Sequence, residues 1–103
     1  MSDEELVGTL AGALTGVIDP ELGYNIVDLG LIYDIEVEAG RARILLTTTT
    51  RGCPATDYIR DGVEVCAAAV PGISEVDVTM TWEPPWSPER MSDEAKAHFG
   101  MQA

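Results

Sequence analysis

Thr49-Thr50-Arg51-Gly52-Cys53-Pro54 marks the point where the chain changes its period. Before it, residues 44–50 have the β-branched, apolar make-up of a strand. After it, residues 55–70 carry apolar side chains at helical spacing. Gly52 permits a backbone turn that other residues resist, and Pro54 suits a first helical position, where its missing N–H would be unpaired anyway. Cys53 is then expected at or just before a helix start. Unpaired N–H groups and the helix dipole favour a thiolate there, and Arg51 adds a nearby cation. The thiol is expected to ionise below the ordinary value of about 8.5.

Outward from this junction, residues 3–17 read as a first helix, with Leu6, Leu10, Leu14 and Val17 on one face, Ser2 as N-cap and Pro20 as its stop. Asp19-Pro20-Glu21-Leu22-Gly23-Tyr24-Asn25 is a turn-rich connection, and Gly30 breaks the short apolar segment that follows. Residues 31–38 alternate as a half-buried strand, Ala39-Gly40 makes a hairpin turn, and residues 41–50 return. A helix over 54–70 stops at Pro71-Gly72, and residues 73–82 alternate again. The prolines of Glu83-Pro84-Pro85-Trp86-Ser87-Pro88 supply no ladder donors, so this segment is expected to be stiff and extended. Ser87-Pro88 or Ser92 opens a last short helix bearing Met91, Ala95 and Phe99, with Gly100 as its cap. The order is α-β-β-α-β-α: a two-layer α/β fold in which a small three-stranded mixed sheet packs against helices. Residues 1–103 are expected to form one domain, with 83–103 a proline–tryptophan segment plus a short C-terminal helix.

The 18 acidic and 6 basic residues leave a net charge of -12. Such a surface repels phosphate backbones and anionic lipid, which argues against nucleic acid and membrane as partners. It serves solubility in a salt-rich cytoplasm, or docks a basic partner. No apolar run reaches the roughly 18–20 residues of a bilayer span, and the acidic start has the wrong sign for a leader, so a cytoplasmic protein is expected.

Two cysteines in such a chain suggest reduced thiols. Along one helix, Cys53 and Cys66 would stand roughly 20 Å apart, too far for a bridge or a shared metal. Cys66 falls in register with Ile59, Val63 and Val70 and reads as a small buried hydrophobe. Thr49 and Thr50 either offer hydroxyls to the sulfur or are ordinary strand residues. On composition, Asp19 and Glu21 read as helix-stop and surface carboxylates, and Asp28 as a turn former. His98, the single histidine, has no partner at metal spacing. The chain contains no CxxC, HExxH, GxGxxG or phosphate loop. Trp82 is expected in the core. Trp86 either packs on its own domain or anchors a partner.

Asp19-Pro20-Glu21, Asn25-Ile26-Val27-Asp28-Leu29-Gly30-Leu31-Ile32-Tyr33, the Thr49 to Pro54 junction and Trp82-Glu83-Pro84-Pro85-Trp86 occur in this order, followed by Met91-Ser92 and Ala95-Lys96. Together they closely resemble the SufT/PaaD-like metal–sulfur cluster assembly factors over nearly the whole chain. The resemblance implies a small α/β domain serving iron–sulfur protein maturation, not an enzyme. Its functional cluster would map onto Asp19, Glu21, Thr49, Thr50 and Cys53. Ending without the cysteine-rich tail of the phenylacetyl-CoA members, the chain looks like the stand-alone type. One thiolate cannot fill the four ligand positions of a typical [2Fe–2S] cluster. Any cluster held through Cys53 is therefore expected to be transient and shared with a client apo-protein, a small thiol or a second copy in a homodimer. Two alternatives remain: an interaction module built on the Trp86 segment, and a thiol-dependent enzyme with Cys53 as nucleophile and Asp19 or Glu21 moving protons.

Overall fold

The computed structural model describes residues 2–49, 52 and 54–100. Its elements run α1 (Asp3–Leu14), β1 (Ile18–Asp19), β2 (Tyr24–Asn25), β3 (Ile32–Glu38), β4 (Arg41–Leu46), α2 (Thr56–Ala68), β5 (Glu75–Met80), a 3-10 turn (Pro88–Arg90) and α3 (Asp93–His98). The expected α/β order holds, and one small antiparallel pair, β1–β2, is added inside the turn-rich connection. β3 and β4 form an antiparallel hairpin, and β5 joins β4 in parallel, giving a mixed sheet in the order β3-β4-β5. A parallel neighbour needs a crossover, which α2 supplies.

Alternation fixes the two faces of the sheet. Val37, Ala42, Ile44 and Leu46 are buried against Leu6, Leu10 and Leu14 of α1 and Ile59, Val63 and Ala67 of α2. On the open face, Arg41 stands between Glu38 and Glu75, and Arg43 between Glu36 and Asp77. The central strand thus carries the cations and its neighbours the acids. Cross-strand pairs of this kind stabilise by about 0.2–1 kcal/mol each, and the exposed Arg41–Glu75 bridge, at 2.8 Å, belongs at the lower end.

The β3–β4 turn places both Ala39 (φ 52°) and Gly40 (φ 80°) in the left-handed region, as a two-residue hairpin requires. Holding alanine there costs roughly 1 kcal/mol, which asparagine largely avoids. Ala39→Asn is expected to raise stability by roughly 0.5–1 kcal/mol, seen as a thermal midpoint a few degrees higher. A lower midpoint would contradict this account of the turn.

Several boundaries differ from expectation. α1 ends at Leu14, not Val17, because Thr15-Gly16 closes it and the following backbone is drawn into β pairing: Val17 accepts from the Ile26 N–H at 3.0 Å, and Ile18 pairs with Asn25. α2 begins at Thr56, not Pro54, since Pro54 and Ala55 still belong to a turn ahead of the helix. β4 stops at Leu46 although Thr47 and Thr48 continue into the core. β5 is shorter than residues 73–82 at both ends. Cys66 is half-buried rather than sealed in the core, and Trp82 is likewise half-buried.

Near the end of the chain, Ser92 caps α3 by accepting from the Ala95 N–H at 3.2 Å, while Met91 and Ala95 enter the same hydrophobic cluster as the sheet. This segment is tied to the loop before β3 by two long-range bonds. The Ser92 N–H donates to the Asp28 carbonyl at 2.7 Å, and the Trp86 indole N–H donates to the Leu29 carbonyl at 2.7 Å.

Candidate functional site

The tight β1–β2 hairpin is built around Asp19. Its carboxylate accepts from the N–H of Glu21 at 2.8 Å and of Leu22 at 3.3 Å, and its carbonyl accepts from the Gly23 N–H at 2.7 Å. Pro20 needs no acceptor, and Gly23 (φ 70°) takes the left-handed position that completes the turn. The result is a carboxylate only 1% exposed, held by backbone donors, next to an exposed Glu21. Composition read Asp19 as a helix-stop or surface carboxylate; the fold buries it instead, which neither its spacing nor the resemblance revealed.

The hairpin rests on α2. A Cβ added at Gly62 would stand 3.2 Å from a methyl of Val17, so this helix-interior glycine allows β1 to approach closely. Such a glycine costs about 1 kcal/mol of helix propensity relative to alanine, offset here by the packing it permits. Ile18 lines the same groove as Tyr58 and Val65 of α2. The Asp19 loop therefore lies beside the helix that the Cys53 turn precedes in sequence, not on the far side of the fold. Cys53 and Thr50 themselves fall outside the described residues.

At the start of α2, Ala55 occupies the N-cap position without a side chain able to cap it. The hydroxyl of Thr56 is buried and finds no hydrogen-bond partner among the described residues. An uncapped helix start of this kind presents N–H donors to negative charge. Thr49 is half-buried, whereas Thr47 and Thr48, not singled out from the sequence, are 0% and 1% exposed. The Trp82 indole N–H donates to the Thr48 hydroxyl at 3.0 Å, linking the threonine run to the proline–tryptophan segment. Trp86 is half-buried and packs against the core. Further along, Tyr33 donates to the Pro84 carbonyl at 2.8 Å, and the Arg90 guanidinium lies 4.5 Å from the Tyr33 ring centroid.

Asp28 does form a turn: its N–H donates to the Asn25 side-chain carbonyl, and its carboxylate accepts from the Asn25 amide at 2.7 Å. His98 is exposed and packs its ring 4.8 Å from Tyr24 and 4.9 Å from Phe99. Among the described residues, no three metal-binding side chains converge, and no helix is long and apolar enough to cross a membrane.

The three-helix α/β scaffold thus sets a buried aspartate hairpin against the helix that follows the Thr49 to Pro54 segment in sequence. Residues 9–80 match the family described as iron–sulfur cluster assembly protein, and the chain belongs to that family. It is 42% identical over 101 residues to the Fe-S protein maturation auxiliary factor YitW of Bacillus subtilis, spanning 97% of this chain and 99% of that one. It is also 42% identical over 86 residues to the Fe-S protein maturation auxiliary factor SufT of Staphylococcus aureus, spanning 82% and 98%. The crystal structure of a domain of unknown function from Bacillus anthracis superposes with a TM-score of 0.92 at 43% identity, covering 99% of this chain and 98% of that one.

Proposed function

We propose that this protein is a non-enzymatic accessory factor of iron–sulfur cluster assembly, acting in the cytoplasm on client apo-proteins. Cys53 is the contact to the cluster or to the client, supported by Asp19, Glu21, Thr49 and Thr50. The observation that carries the reading is the buried Asp19 hairpin seated against α2 through Val17 and Gly62. Its setting beside the helix that follows Cys53 favours the grouping that the family resemblance implies. The cluster is cargo. With one cysteine in the group, the remaining thiolate positions on it are filled by a client, a small thiol or a second copy. Residues 83–103 act with the rest as one domain, and the half-buried Trp86 is a secondary partner contact.

The test is maturation of an apo client in the presence of wild-type protein or Cys53→Ser. Wild type is expected to raise client activity, and the variant to fall to the level without added factor. Equal stimulation by both would remove Cys53 from the proposal. Turnover of a small acyl or disulfide substrate, lost in Cys53→Ser, would instead favour a thiol enzyme.

A further inference from the structure

Three large hydrophobic side chains stand exposed among the described residues: Ile18 (43%), Tyr58 (62%) and Val65 (71%). All three line one groove of about 370 Å³ between residues 16–18 and α2, with Val17, Asp61 and the half-buried Cys66 completing its wall. Tyr58 and Val65 are two turns apart on one helix face, where a solvated helix would carry polar residues. Beside them on α2 stand the exposed carboxylates of Asp57, Asp61 and Glu64, and Arg60 is bound to Asp57 at 2.8 Å.

We infer that this groove docks a cationic amphipathic helix of a protein partner. Its apolar face fills the groove, and its Lys or Arg flanks meet Asp57, Asp61 and Glu64. Charge complementarity selects this occupant. A second copy of the chain would bring another net charge of -12 to the same acidic rim, whereas a basic segment is steered towards it. Helix-in-groove docking of this type reads an apolar stripe through anchors at i, i+4 and i+7. Ile18, the first residue of the Asp19 hairpin, lines the groove, so a docked protein would sit beside that hairpin. That the docked protein gives or receives the cluster rests on the proposed function; the docking itself does not.

The test uses a fluorescent synthetic helix with Leu on one face and Lys on its flanks, titrated by anisotropy against the full chain. A scrambled peptide of the same composition and charge, with Leu spread around the helix, is the control. Val65→Asp is expected to weaken binding of the patterned peptide by about tenfold or more, the scale of a lost anchor. Thr79→Asp, which adds the same charge to the exposed face of the sheet, is expected to leave binding nearly unchanged. Tyr58→Ala removes apolar area without adding charge and should weaken binding in the same sense. Cys53→Ser should bind like wild type, so loss of the maturation role and loss of docking are separately visible. Equal binding of the scrambled peptide, or equal affinities of Val65→Asp and Thr79→Asp, would reduce the effect to bulk charge and overturn the inference. A wild-type dimer in sedimentation that Val65→Asp converts to monomer would assign the groove to a second copy and overturn it as well.

Discussion

Gly30→Ala is expected to destabilise the fold by roughly 2–4 kcal/mol, lowering the thermal midpoint by more than about 10 °C. Two costs combine. Gly30 holds φ 77°, a conformation that strains any residue with a Cβ. The added Cβ would also lie 2.7 Å from the Arg90 carbonyl carbon and closer still to its oxygen, and backbone cannot swing aside as a flexible side chain can. Relief would require the 3-10 turn to move away, straining the neighbouring Ser92–Asp28 and Trp86–Leu29 bonds. The C-terminal segment should loosen first, so Trp86 fluorescence is expected to change before the far-ultraviolet signal of α1 and α2. A Gly30→Ala midpoint within a degree or two of wild type would mean that the loop and the C-terminal segment are not locked together.

Asp19→Ala is expected to cost roughly 2–3 kcal/mol, because the N–H groups of Glu21 and Leu22 lose their acceptor in a part-buried hairpin. Asp19→Asn retains a side-chain oxygen for the same two donors and should cost about 1 kcal/mol or less. The pair separates the two roles of this residue. If the negative charge serves the cluster or the client, Asp19→Asn folds yet loses client maturation along with Asp19→Ala. That is the expected result. If Asp19→Asn matures clients like wild type, the carboxylate only shapes the turn. Glu21→Gln, on the exposed side of the hairpin, keeps the length of the side chain and removes its charge, and is expected to lower client maturation as Asp19→Asn does.

Local pattern was enough for the helices and the main sheet. The Leu6, Leu10, Leu14 stripe, the alternation through Val76, Val78 and Met80, and the Ala39-Gly40 turn are signals carried by neighbouring residues. What depended on distant residues was not legible. Four threonines in a row look alike, and only the Trp82 indole, far along the chain, singles out Thr48. Gly30 reads as a break in an apolar run; that it makes room for the Arg90 carbonyl is a tertiary fact. Gly62 looks like a weak point in a helix until Val17 is seen against it. Cys66 shares the period of the buried face, yet it lies at the border where α2 turns towards the groove, and period alone cannot place that border. For the site, residue identities came from the linked motifs of the family, whereas the burial of Asp19 and the seating of its hairpin on α2 came from the fold.

Anaerobic reconstitution with iron and sulfide, in the presence of a small thiol, tests the central claim most directly. Wild type is expected to retain iron and sulfide after desalting, with the visible absorbance of a cluster, and Cys53→Ser to retain neither while unfolding at the wild-type temperature. Equal iron and sulfide in the two proteins would contradict Cys53 as the contact to the cluster.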